Sequence, residues 1–202
     1  MNAIAMANLA KSVLTSLAAL AIAACSPSQP AAPPPLEGAS IGGPFTLVDA
    51  SGKTVNWSDF DGKWRMVYFG YAYCPDVCPF DLQRMMQGYE AFKREKPDLA
   101  ADVVPIFITI DPERDTPEVV GKFTSNFSPD LVGLTGTPEQ VDQAAKAFTV
   151  YYAKGDVQDN GGYLMDHTNA AYLMDRQGKP IALLSVDESA PQVAAELDEW
   201  VN

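Results

Sequence analysis

Cys74 and Cys78 stand four positions apart in FGYAYCPDVCPF (69–80), and each is followed by proline. Two sulfurs at that spacing, where an apolar run gives way to a helix-like stretch, admit three chemistries: a structural disulfide, a redox couple, or part of a metal site. The chain has one other cysteine, Cys25, and a single histidine, His167, in YLMDHTNAAYLMD (163–175).

The prolines constrain the local geometry. Pro79 has no N–H and would break a helix interior, but it is tolerated in the first turn, where N–H groups are free. With Asp76 as N-cap, Val77, Cys78 and Pro79 are the first three helical positions. Both sulfurs then meet the positive end of the helix dipole, which favours thiolate. Asp76 between them opposes this, so the sign of the net shift stays open. A permanent disulfide here would close a very small loop, where the entropic gain is smallest. The carboxyl ends of strands are also where open α/β sheets place their functional sites. The pair therefore reads as reactive.

The surrounding elements are legible from periodicity and punctuation. FTLVD (45–49), the turn Ala50-Ser51-Gly52 and KTVNW (53–57) form a β-hairpin. WRMVYFGY (64–71) suits a strand buried on both faces, and a helix follows over 77–95 with Leu82, Met85, Met86, Tyr89 and Phe92 on its apolar stripe. VVPIFITI (103–110) is a second buried strand. After the loop DPERDT (111–116), Thr116 caps a helix over 117–127 that has proline in its first position. LVGLTG (131–136) is a short strand or extended connection, and Thr137 caps a helix over 138–148. Residues 149–166 make a small excursion with a Gly161-Gly162 turn. AAYLMD (170–175) and KPIALLS (179–185) flank a turn as a second hairpin, and a last helix starts near 191. This order is that of an α/β, thioredoxin-like fold with an N-terminal β-hairpin and a small insertion before the C-terminal hairpin, spanning 41–202. A domain of roughly 160 residues buries about two-thirds of its surface without needing a disulfide.

In such folds the segment that enters the C-terminal hairpin faces the cysteine loop, and redox members carry a cis-proline there. This chain has no proline between Pro138 and Pro180 and places Asp166-His167 at that point instead. Two thiolates and one imidazole would converge. Structural zinc takes four ligands, and blue copper takes two histidines and a cysteine; neither set is available. Thiolates select Cu(I), and imidazole suits copper too. Asp166 is a candidate acceptor that would orient the imidazole, or simply a strand-entry residue. Met85, Met86, Met165 and Met174 read as packing residues, with Met165 the closest in sequence to His167.

Before position 37 the only charged residue is Lys11, and an apolar stretch over 13–24 ends in IAAC. It is too short to span a bilayer as a helix. Residues 1–24 thus read as a lipoprotein-type signal peptide, Cys25 as the lipid attachment site, and 25–40 as a Pro/Ala-rich tether extending about 3.1 Å per residue. A formal net charge of −12 repels nucleic acid and anionic lipid.

Three segments, YFGYAYCPDVCPFDL (68–82), TIDPERDTPE (109–118) and DHTNAAYLMDRQGKP (166–180), closely resemble the Sco/SenC family of copper-binding assembly proteins. The resemblance runs from about 45 to 200. It implies a membrane-tethered, thioredoxin-like domain that binds Cu(I) or Cu(II) through Cys74, Cys78 and His167. The implied partner is the CuA-bearing subunit of cytochrome c oxidase, with another periplasmic copper chaperone as a candidate donor. The implied location is the extracytoplasmic face of a membrane, through a lipid anchor. A metallochaperone and a thiol–disulfide reductase that keeps the CuA cysteines reduced are both compatible with these residues; a redox or copper sensor is a third reading. The C-x3-C spacing, one residue longer than the C-x2-C of thioredoxin-type oxidoreductases, favours metal.

Overall fold

The computed structural model describes residues 32–158 and 161–202, so the signal peptide, Cys25 and the first part of the tether lie outside the described residues. Residues 34–202 make one compact unit. It contains β1 (Thr46–Asp49), β2 (Thr54–Asn56), a 3-10 turn (Trp57–Phe60), β3 (Trp64–Gly70), α1 (Val77–Glu95), a one-turn α2 (Pro97–Ala100) and β4 (Val103–Thr109). There follow α3 (Pro117–Ser125), β5 (Val132–Thr135), α4 (Pro138–Ala147), β6 (Tyr152–Lys154), β7 (Met165–His167), β8 (Ala171–Met174), β9 (Pro180–Leu184) and α5 (Ala190–Trp200). Among the described residues no helix is long and apolar enough to cross a membrane.

Seven strands form one sheet in the order β2-β1-β5-β4-β3-β8-β9, and β6 and β7 form a separate pair. Inside the large sheet, β3 lies between β4, to which it is parallel, and β8, to which it is antiparallel. All seven residues of β3 are buried, as suits a strand covered on both faces; the one charged member, Arg65, pairs with Asp61 and lies over the Trp57 ring. Successive side chains alternate between those faces. Tyr68 reaches Asp81 on α1, while Phe69 stacks on Phe148, just past α4, with ring centroids 5.3 Å apart. On the first face, Leu82, Met85, Met86, Tyr89 and Phe92 are buried as their helical spacing dictates. On the second, Phe148 is edge-on to Trp57 and Tyr172, with centroids 5.4 Å and 5.6 Å away.

The helix starts obey local chemistry. Thr137 Oγ1 accepts the Gln140 N–H and Gln140 Oε1 accepts the Thr137 N–H, a reciprocal capping box. Thr116 caps α3 in the same way from one side. Helix α3 ends at Ser125, two residues short of the span that periodicity suggests. Within the tether, the Leu36 N–H donates to Ile181 O on edge strand β9 at 2.9 Å.

The main departure concerns the excursion at 149–166. It is built around the β6–β7 pair, with Tyr152 opposite His167, so His167 ends a strand instead of lying in a loop ahead of the hairpin. Strands of three residues are too short to show a period of two.

Helices α1 and α5 meet at Gly88. A Cβ there would stand 2.6 Å from Val193 Cβ and 2.8 Å from Ala190 O, so only glycine permits this approach. Replacing an exposed helical glycine by alanine gains about 1 kcal/mol. Here overpacking costs about 1–3 kcal/mol and outweighs that gain. Gly88→Ala is expected to lower the urea midpoint at unchanged m-value, by a net of up to about 2 kcal/mol. A raised midpoint would show that the two helices separate more easily than this packing allows.

Candidate metal centre

The site lies beyond the carboxyl end of β3. Chain direction explains why three distant residues meet there. β3 delivers the chain into the loop 71–76 and then into α1, whose first turn holds Cys78. Strand β8 runs antiparallel to β3 with Ala171 opposite Tyr68, so the residues just before Ala171 overhang the same end of the sheet. His167 is among them.

Asp76 occupies the N-cap position, but its side chain makes no capping bond. A sulfur takes that role: Cys74 Sγ accepts the Cys78 backbone N–H at 3.4 Å. Helix N-termini favour negative charge because their N–H groups lack partners. The Cys74 thiol is held far below its ordinary range, chiefly by the hydrogen bond from the Cys78 side chain, with the Asp76 and Cys78 amides adding to it against the cost of burial. The Cys78 thiol moves the opposite way, because its proton is shared with Cys74 and because it is buried. Thus the half-exposed sulfur carries the charge and the buried one keeps the proton.

Cys78 Sγ lies against Gly70, where a Cβ would stand 3.0 Å from it. Beneath it, buried Tyr68 donates its hydroxyl to Asp81 Oδ2 at 3.0 Å. Burial raises the pKa of both the Tyr68 phenol and the Asp81 carboxyl.

On the open side, His167 Nε2 is 3.3 Å from Cys78 Sγ. Its Nδ1 is 3.0 Å from the carbonyl oxygen of Thr168. A carbonyl only accepts, so Nδ1 carries the hydrogen and the Nε2 lone pair faces the sulfur. The acceptor that orients the ring is therefore Thr168 O. This corrects the candidate role of Asp166, which is exposed at the middle of β7 and points to the face opposite His167. Met165 shares the His167 face and packs against the core, while Met85, Met86 and Met174 are buried. Tyr71 sets its ring edge-on to the imidazole, with centroids 6.1 Å apart.

DPERDT is not a solvated turn. Asp111 and Asp115 are buried, and Asp115 Oδ2 accepts from the Ala72 N–H at 2.8 Å and from Thr109 Oγ1 at 2.6 Å. Neither Thr168 nor Asp81 was visible as a functional residue from sequence. A carboxylate three residues into α1 after Cys78 was the one available signal for the second.

Among the described residues no three His, Cys, Asp or Glu side chains already stand in a metal-holding arrangement; the two sulfurs and the imidazole are joined by hydrogen-bond contacts. As donors they suit a soft ion of low coordination number. A set without carboxylates does not suit calcium or magnesium.

Known proteins share this architecture. The SCO1/SenC family matches residues 33–202. The human mitochondrial protein named SCO1 homolog is 40% identical over 157 residues, which cover 78% of this chain and 52% of that protein. Protein SenC of Rhodobacter capsulatus is 47% identical over 137 residues, covering 68% of this chain and 60% of its own length. The chain thus spans little more than half the length of these relatives. The structure of Bradyrhizobium japonicum ScoI with copper bound superimposes with a TM-score of 0.71 at 38% identity, covering 79% of this chain and 99% of that one. With a thioredoxin-like fold and a family match that runs over residues 33–202, this chain belongs to the SCO1/SenC family.

Proposed function

We propose that this chain binds copper between Cys74, Cys78 and His167 and assists maturation of the CuA centre of cytochrome c oxidase. The observation that carries this reading is the Cys78 Sγ–His167 Nε2 approach of 3.3 Å, at the helix end where Cys74 is thiolate. The related copper-bound ScoI supports the choice of metal. Similarity of the three motifs to the family supports the choice of target.

In this reading copper is cargo. The exposed, charged Cys74 meets the ion first. Binding at both sulfurs releases the proton they share, so two thiolates, a neutral imidazole and Cu(I) leave one net negative charge. Cu(II) leaves none. The imidazole needs no rearrangement of protons, because Thr168 O already holds the hydrogen on Nδ1. Acylation at Cys25 would place the domain on the extracytoplasmic face of a membrane, with the Pro/Ala-rich segment as spacer.

A second reading, thiol–disulfide reduction of the target's CuA cysteines, has its own supporting observation. A charged, half-exposed Cys74 beside a buried, protonated Cys78 is the pairing of an attacking and a resolving thiol. The two activities are compatible in one chain.

His167→Ala is expected to weaken copper binding by at least the 10–100-fold that loss of an outer partner costs, and to abolish the thiolate-to-Cu(II) charge-transfer band. Reduction of oxidised partner peptides should persist. An unchanged affinity and spectrum would contradict the three-ligand site. The asymmetry of the sulfurs has a separate readout. Because the Cys74 pKa is depressed and that of Cys78 raised, iodoacetamide should modify Cys74 first, at a rate that does not fall between pH 8 and pH 6 as an ordinary thiol's does. Equal labelling of both sulfurs, falling together with pH, would refute the assignment of the charge.

A further inference from the structure

His167 ends an excursion that the core holds only in part, through Val150, Tyr152, Tyr163 and Met165. Tyr151, Val157 and Leu164, all in the excursion, are 66%, 63% and 48% exposed, so apolar burial alone does not fix it. The imidazole nevertheless has to stay within bonding distance of a sulfur that belongs to a different element.

Polar and aromatic fastenings supply what burial does not, and they converge on one loop. Tyr163, two residues before β7, is buried and donates its hydroxyl to Asp111 Oδ1 at 2.8 Å. The Arg114 guanidinium lies over the Tyr163 ring, 3.5 Å from its centroid, and Nη1 donates to Tyr163 O at 3.0 Å. Arg114 Nε donates to Asp111 Oδ2. On the neighbouring strand β6, Lys154 bonds Glu113 Oε2 at 2.7 Å and stands 4.0 Å from the same ring centroid. Lys154 pairs with Met165 in the β6–β7 ladder, two positions from His167. The next residue of that loop, Asp115, grips the other half of the site through the Ala72 N–H, two residues before Cys74. One short stretch, 111–115, therefore holds both the excursion and the cysteine loop.

We propose that Arg114 and Tyr163 are positioning residues for His167, and that with Asp115 they make the DPERDT loop a bracket fixing the separation between the imidazole and the cysteine loop. The planar guanidinium lays its face on the ring while two separate nitrogens, Nε and Nη1, serve the carboxylate and the carbonyl; the single nitrogen of lysine cannot stand at those separate positions, so lysine is a poor replacement. The significance of this bracket for metal rests on the three-ligand reading of the site, but its effect on the imidazole does not.

The chain's single histidine makes the test direct. Full-length protein labelled with 15N-histidine, copper-free, should give one imidazole spectrum with the hydrogen on Nδ1. In Arg114→Ala both ring nitrogens should shift toward the tautomer-averaged values of free imidazole, and Arg114→Lys should not restore them. Copper affinity should fall on the order of 10–100-fold, as for loss of a group that orients a ligand. That fall should vanish when Arg114→Ala is introduced into His167→Ala, because no ring is left to position. If Arg114→Ala fails to fold, Tyr163→Phe, which keeps the ring and removes only the bond to Asp111, should produce the imidazole shift in milder form. An unshifted imidazole in the folded variants, or an equal loss of affinity with and without His167, would overturn the proposal. If the parent chain bound no copper, the proposed function would fail, and the copper-free imidazole spectrum would still decide the bracket.

Discussion

The first turn of α1 is closed by a sulfur where an aspartate stands ready to close it, and most of the site follows from that substitution. By accepting the Cys78 N–H, Cys74 Sγ is drawn to the helix N-terminus, the place in the domain that most favours a negative charge. The same bond keeps Cys74 and Cys78 within one turn of each other. Pro79 is tolerated in this first turn, where its missing N–H costs nothing, and Cys78 faces inward against Gly70. A larger residue than glycine at the end of β3 would push the buried sulfur out of line.

What comes to meet the sulfurs is decided by sheet pairing. Antiparallel β8 brings the preceding residues back over the end of β3, and the β6–β7 pair gives His167 a fixed backbone. Thr168 O then selects which ring nitrogen is free. Position, backbone and tautomer thus come from three different interactions, none of which involves the sulfurs. The fold brings His167 to the cysteine loop, and the acidic DPERDT loop joins that loop to the excursion.

Much of this was legible in the residues. The buried β3 run, the exact start of α1 at Val77 and the proline-first helices at Pro117 and Pro138 follow from local rules that tertiary contacts do not override. The approach of His167 to the cysteine loop was legible because the order of elements puts the segment entering the C-terminal hairpin at that end of the sheet. Other features depend on contacts between residues far apart and leave no periodic trace. Asp111 and Asp115 look like turn residues until Tyr163 and Ala72 are brought to them. The strand nature of residues 165–167 is set by pairing with residues 152–154, and once it is set, alternation sends Asp166 away from the ring it was a candidate to orient. A backbone carbonyl such as that of Thr168 has no side-chain signature at all.

The central claim is that folding brings two sulfurs and one imidazole nitrogen within reach of a single copper ion. X-ray absorption at the copper edge tests it most directly, on protein loaded anaerobically with one equivalent of Cu(I). The account predicts a first shell of two sulfur scatterers and one nitrogen whose outer scattering is that of an imidazole ring. A shell of sulfur alone, or of oxygen and nitrogen without sulfur, would contradict it.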